Sequence, residues 1–263
     1  MSTLRARCPD CRTLTAVAIG SAFDDVAYEC HVCGRDFAAG LVRVPRAWGS
    51  GGDEMAAAAL LPFPYPEAAV IEEDSLGEQT LALASQLPQR PLVLGGCCCS
   101  HIGAVEGLAN RHGRIAVVWL DAHGDLNTPE TSPSGNPWGM PLRMLIDSGA
   151  VEAGDVCLIG ARDLDPPEEE FIDEAGVRLG DDGIDGALAG AGGVYVALDC
   201  DSLAEDEVAA FMPEPDGLHV DEVESLFRSL AARVPVLGAG LSGLVADPRN
   251  LEPLTRLLAA LNL

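Results

Sequence analysis

Two short acidic runs hold the side chains best suited to chemistry. In DAHGD, Asp121, His123 and Asp125 recur at spacing two, and in DCD, Asp199 and Asp201 do the same. Alternate side chains of an extended chain share a face, so each run presents its ligand-capable groups to one side. Carboxylates with one imidazole suit hard or borderline divalent ions such as Mn²⁺. Five such side chains exceed the needs of one ion. They point to a pair of ions with bridging carboxylates and a water between them acidified to hydroxide. The plainer alternative makes DAHGD a helix-capping turn and DCD a loop.

A third run, GGCCCSH, places Cys97, Cys98 and Cys99 after a glycine pair. Metal ligation, redox chemistry and small apolar filling of a tight corner are all open to it. Near the N-terminus, CPDC and CHVC give the spacing Cys-x2-Cys-x18-Cys-x2-Cys. Cys8, Cys11, Cys30 and Cys33 are thereby expected to supply four thiolates to one tetrahedral structural zinc. The alternative, two redox pairs, would want a thioredoxin-like βαβ context that the flanking residues do not offer. TLTAVAIG and FDDVAYE alternate like two short strands, and Gly34 follows the second knuckle, where a tight turn calls for positive φ. The pattern resembles a zinc ribbon, in which metal binding supplies the folding energy that a module of about 40 residues lacks. His31 is read as a bystander inside the knuckle.

Strands and helices must alternate to present these groups. PLVLGG (91–96), IAVVWLD (115–121), VCLIGARD (156–163), VYVALDCD (194–201) and VPVLGAGLSGLV (234–245) read as buried strands. The segments 101–113, 138–149, 166–176, 219–233 and 250–262 read as helices, several closed by glycine. Continuously apolar strands between helices imply an α/β fold with a parallel sheet covered on both faces. Ligands of such sheets bind beyond the carboxyl ends of the strands, where the acidic runs fall. Residues 44–66, with SGG and later prolines, read as a linker, so a small module over 1–45 is expected to precede a large one over 46–263.

Charge supports that division. The 263 residues carry a formal charge of −25, and every one of the 16 basic residues is Arg. Residues 1–48 hold six Arg against five acids, whereas the remainder holds ten against thirty-six. So acidic a surface argues against a nucleic-acid partner. No apolar run reaches the roughly 18 residues needed to span a bilayer, and no secretory leader is visible, so a cytoplasmic location is expected.

DAHGD, SGNPWGMP (134–141), GARDLDPPEE (160–169) and ALDCDSL (197–203), in that order, resemble the arginase–agmatinase ureohydrolase family over about residues 90–260. The resemblance implies a three-layer α/β/α fold with a mostly parallel sheet, homo-oligomeric assembly and hydrolysis of a guanidino- or amidino-type small molecule with two Mn²⁺ ions. By that resemblance Asp121 and Asp199 bridge the ions, His123 and Asp201 hold one, and Asp125 holds the other and relays a proton. Ser134 and Asn136 grip the far end of the substrate, and Asp165 holds its amino group.

Three departures qualify these expectations. Family members have GGDHS where this chain has GGCCC, which puts Cys98 at the position of a metal-binding His. A thiolate there favours Zn²⁺ or Fe²⁺. Cys97 and Cys99 are read as packing residues, and His101 as a possible substitute ligand. Trp138 replaces a proton-transferring His and is read as a pocket wall. Val245 stands where the family has a Glu that pairs with the guanidinium, and Asp247, two residues on, is a candidate replacement if the strand continues. The losses leave a second reading open, a catalytically impaired scaffold tethered through its zinc ribbon. The family's first strand has only residues 41–55 as a candidate.

Overall fold

The computed structural model describes the backbone of residues 5–6, 16–18, 28–34, 36–37 and 39–263, and side chains over 29–34 and 40–263. The first part forms a four-stranded antiparallel sheet in the order β1 (Arg5–Ala6), β2 (Ala16–Ala18), β3 (Tyr28–Cys30), β4 (Asp36–Phe37). The turn after β3 closes with Gly34 N donating to Cys30 O at 2.7 Å, and Gly34 has φ +73°. Cys30 is buried and Cys33 exposed; Cys8 and Cys11 lie outside the described residues.

The large module has strands β5 (Ala39–Val44), β6 (Glu67–Val70), β7 (Arg90–Gly95), β8 (Ala116–Leu120), β9 (Val156–Ile159), β10 (Arg178–Leu179), β11 (Val194–Asp199) and β12 (Val236–Ser242). They form one sheet in the order β10-β9-β8-β11-β12-β7-β5-β6, and every neighbouring pair is parallel. Alternation within the strands shows why their sequences are continuously apolar. Ala116, Val118 and Leu120 enter one apolar cluster, Val117 and Trp119 the other. The first cluster is covered by α6 (Gly180–Leu188), α7 (Val220–Arg233) and α8 (Leu251–Ala260) through Ile184, Phe227 and Leu257. The second is covered by α2 (Leu76–Gln86), α3 (Ser100–His112), α4 (Pro141–Asp147) and α5 (Pro166–Ala175) through Leu83, Val105, Leu142 and Ile172. Each such side chain contributes about 1.5–3 kcal/mol on burial. The result is the three-layer α/β/α sandwich.

Several boundaries differ from the sequence reading. β5 pairs with β7 along its whole length, from Ala39↔Arg90 to Val44↔Gly95, so the large sheet begins ahead of residue 46. The residues read as a linker contain α1 (Gly52–Ala58), whose Asp53 and Glu54 favour a helix N-terminus and whose Met55 is buried. The single helix expected over 138–149 is broken. A 3-10 turn spans Pro137–Gly139, and α4 starts at Pro141, because proline holds Met140 out of the helical region at φ −131°. β12 ends at Ser242 rather than running through Val245, because Gly243 turns the chain at φ +65°.

Candidate metal centre and substrate cavity

Strands β7, β12, β11 and β8 are consecutive neighbours, and their carboxyl ends supply Cys98, Ser242, Asp199 and Asp121. Asp121 is fixed from three sides. Its Oδ2 accepts from Trp119 Nε1 at 3.0 Å, its Oδ1 accepts from His123 N at 2.8 Å, and His123 Nδ1 lies 3.4 Å away. Asp201 Oδ1 accepts from Ala122 N at 3.1 Å, and its Oδ2 lies 3.1 Å from His123 Nδ1. Asp199 Oδ1 accepts from Asp201 N at 3.1 Å, while its Oδ2 receives the Cys98 thiol at 2.5 Å and the Ser242 hydroxyl at 3.2 Å. A Cβ on Gly243 would strike the Asp199 carboxylate, so the turn needs glycine for space as well as for φ.

Among the described residues three groups of donors are compact enough to hold an ion each; one, His123, Asp163 and Glu214, is partly exposed, and the other two are largely buried and meet at the strand ends. Of the buried two, Cys98, Asp121 and Asp199 form one, and Asp121, His123 and Asp201 the other, with donor atoms in each within 4.8 Å of one another. Asp121 is common to both. Asp125 belongs to neither but lines the same cavity. It sits in the left-handed region at φ 54°, a conformation Asp tolerates better than most residues, and its buried Oδ2 has no hydrogen-bond partner.

The electrostatics call for cations. Burial pushes the Asp121 and Asp125 carboxyls upward; burial and then the charge of Asp201 push Asp199 up to about 7. Burial and then Asp121 push Asp201 up to about 6. Burial opposes a charge on His123, but the Asp121 and Asp201 carboxylates outweigh it and carry its pKa up to about 12. Burial, then Asp199, raises the Cys98 thiol well above its ordinary value. Four buried carboxylates share one imidazolium, and one carboxylate oxygen is orphaned, so the donor set fits divalent ions. Oxygen and nitrogen donors dominate the Asp121–His123–Asp201 group, whereas sulfur joins the other.

Above these groups lies a cavity of ≈190 Å³. Ser134, Trp138 and Asp165 line it, together with Met55, Phe211 and Met212. Asp165 is held by Asn127 Nδ2 at 2.8 Å and forms a capping box with Glu168 at the start of α5. Asn136 is not brought to the cavity wall; its Oδ1 accepts from Ser50 N at 2.9 Å and Ser50 Oγ at 3.1 Å. Asp247 stands outside the site, accepting from Arg249 N at 2.9 Å at the start of a 3-10 turn. The early end of β12 removes the geometry in which it would have replaced the missing Glu. Cys99 packs away against Pro137 O at 3.4 Å, while Cys97 lines the cavity and accepts from Trp48 N at 3.4 Å.

His101 is no ligand in this geometry. It is fully buried, with Nδ1 2.9 Å from Tyr195 OH and Nε2 3.0 Å from Ser242 Oγ. Burial holds its pKa down to about 3, so it is neutral. Gly240 makes this possible, since a Cβ there would strike both the ring and the Tyr195 hydroxyl. Ser242, also 3.2 Å from Cys98 Sγ, is thus the link between the inner donors and a buried Tyr–His pair. Sequence reasoning missed Ser242, because a serine in GLSGL carries no local signal. It also missed Glu168, although the Asp165-x-x-Glu168 spacing ahead of a helix is a legible capping box.

A model of the arginase family matches residues 61–244. An arginase of Bacillus caldovelox is 35% identical over 184 residues, which covers 61% of this chain and 56% of that protein, so the match spans little more than half of that relative. The crystal structure of the Bacillus cereus arginase superposes with a TM-score of 0.73 at 25% identity, covering 85% of this chain and 97% of that one. The native Bacillus caldovelox arginase structure gives 0.74 at 25% identity with the same coverage. With the parallel sheet, the strand-end aspartates and a match over most of its length, the chain belongs to the arginase family.

Proposed function

We propose that the protein is a metal-dependent hydrolase of a linear C–N bond in a guanidino- or amidino-type small molecule. The observation that carries the reading is the meeting of two metal-sized donor groups at Asp121, beside the unpartnered carboxylate oxygen of Asp125. Asp121, His123 and Asp201 would hold one divalent ion, and Cys98, Asp121 and Asp199 the other, with Mn²⁺ the family's metal and Zn²⁺ or Fe²⁺ better matched to the Cys98 sulfur. Bound there, such ions supply Lewis acidity and acidify a water.

The remaining work falls to the chain. Asp125, whose carboxyl is buried and raised, is placed to take a proton and to return it to the departing amine. Seven acids line the cavity with one His and no Arg, so its wall attracts a cationic substrate. Asp165 and Ser134 receive the polar end of that substrate, and Trp138, Phe211 and Met212 enclose its carbon chain. Cys8, Cys11, Cys30 and Cys33 are proposed to hold a structural zinc in the small module. Homo-oligomeric assembly and a cytoplasmic location belong to the same reading.

The test is product release from a panel of guanidino compounds by metal-loaded protein. Urea or ammonia should form with at least one of them, and Asp121→Asn should abolish it. No turnover from protein carrying about three metals per chain refutes the enzyme. A second reading, a scaffold that binds guanidinium without turnover, is favoured by Val245 and by the Asn136–Ser50 bond. Calorimetric binding of a guanidino compound with no product, and zinc as the sole metal, would select it.

A further inference from the structure

The opposite end of the sheet holds a larger cavity, ≈580 Å³, at the amino ends of β7 and β12. Its walls are apolar, from Val234, Leu237 and Leu261, and its polar groups are Arg90, Gln89, His112 and Asn262. Arg90 is the first residue of β7, so the cavity lies about one strand length, on the order of 20 Å, from the Cys98 end.

Arg90 is exceptional in having no partner among the described residues. Among the arginines whose side chains are described, every other one reaches a carboxylate or a backbone carbonyl. Arg90 makes no such contact among the described residues, in a chain that carries 41 acids. It is half-buried, and burial alone lowers its pKa. A partly desolvated guanidinium without a counter-charge is costly, and its planar fork matches a carboxylate in two parallel bonds.

We infer that this cavity binds a small carboxylate with a short apolar body, its oxygens on Arg90 and its carbon chain against Val234, Leu237 and Leu261. The ligand chemistry is opposite to that of the acid-lined cavity at the other end of the sheet. The site therefore takes an anionic effector or metabolite rather than the substrate.

Thermal unfolding and calorimetry of the full-length protein with hexanoate test the assignment, with acetate, hexanol and hexylamine as controls at constant ionic strength. Hexanoate should bind saturably and raise Tm, acetate and hexanol should bind more weakly, and hexylamine should not bind. Arg90→Gln should weaken hexanoate about tenfold or more. Should that variant fail to fold, Asn262→Asp, at an exposed position on the rim, should weaken hexanoate by setting a carboxylate beside Arg90. No saturable hexanoate binding, equal binding of hexylamine, or unchanged affinity in a folded variant overturns the inference. Binding that appears only after an oligomer is dissociated assigns the cavity to a second copy, and overturns it as well.

Discussion

Replacing Ser242 with alanine probes the layer beneath the metal-binding groups. The Ser242 hydroxyl lies 3.0 Å from His101 Nε2, 3.2 Å from Cys98 Sγ and 3.2 Å from Asp199 Oδ2. The substitution removes one oxygen and little volume, so the cavity contribution is small. It leaves a fully buried imidazole nitrogen with no partner, which costs about 1–3 kcal/mol. A chain of 263 residues has an unfolding entropy of roughly 0.55 kcal/mol/K near Tm, so Tm should fall by about 2–5 °C. His101→Leu orphans the buried Tyr195 hydroxyl, takes one of three partners from Ser242 and removes a packed ring, and should cost more. The double variant should then cost less than the sum of the singles by about 1 kcal/mol, because the Ser–His contact can be lost only once. Calorimetry on the metal-free protein completes the cycle. A Tm within about 1 °C of the parent for Ser242→Ala, or strict additivity of the pair, would falsify the network.

Two further predictions follow from neighbouring groups. Cys98→Ser keeps the size of the side chain but removes the thiolate, so the near-ultraviolet sulfur-to-cobalt charge-transfer band of the Co²⁺-loaded protein should lose the intensity of one thiolate and keep that of the four cysteines of the small module. Affinity for Zn²⁺ should drop about tenfold or more, and an unchanged band would exclude Cys98 as a ligand. His101 has its pKa lowered from 6.5 to about 3 in the folded protein, so the unfolded chain binds a proton that the native state refuses. The stability it contributes is therefore complete above pH 6.5 and is lost as pH falls toward 3, with a slope approaching ~1.4 kcal/mol per pH unit. Denaturant titrations of the parent and His101→Leu between neutral and mildly acidic pH should show their stabilities converging as pH falls. A constant difference would mean that His101 is not buried as a neutral ring.

What the sequence revealed and what it hid follow from the range of the forces involved. β7, β8, β9, β11 and β12 were legible because a strand buried on both faces must be apolar without interruption. β5 was only loosely placed, within a first-strand candidate over 41–55, because Arg43 interrupts its apolar run; bonds to Glu67 and to the Ala59 and Leu61 carbonyls make that charge compatible with the strand. α1, with a run of alanines, has no amphipathic period to detect. The strand-end carboxylates were legible as candidate ligands from their spacing of two, and the fold gathers them at the ends of β8 and β11. Asp247 misled because its inclusion presumed that the strand continued, and the turn at Gly243 is set by the nearness of Asp199, a residue 44 positions earlier. Ser242 and His101 could be paired only once β12 was known to lie between β7 and β11.

That strand order also gives a physical account of the cysteine at position 98. A thiol sulfur is one bond from Cβ, whereas an imidazole nitrogen is two or three, so a cysteine reaches less far from the strand end than a histidine would. Its neighbours are correspondingly near. Asp199 Oδ2 lies 2.5 Å from the sulfur, and the Ser242 hydroxyl lies 3.2 Å from it. The imidazole of this region sits one helical turn further on, at His101, where Gly240 leaves room for it and the Ser242 hydroxyl carries its influence back to Cys98 and Asp199. Where it sits, the ring holds Ser242 and does not join the candidate metal-binding groups. Neutral and doubly hydrogen-bonded, it fixes Ser242 without adding charge to a cluster already crowded with carboxylates. Cys98 and the buried Tyr195–His101–Ser242 chain thus form one connected arrangement, built from the ends of three strands and the start of α3. A histidine returned to position 98 alone would meet Asp199 and Ser242 where its ring must go.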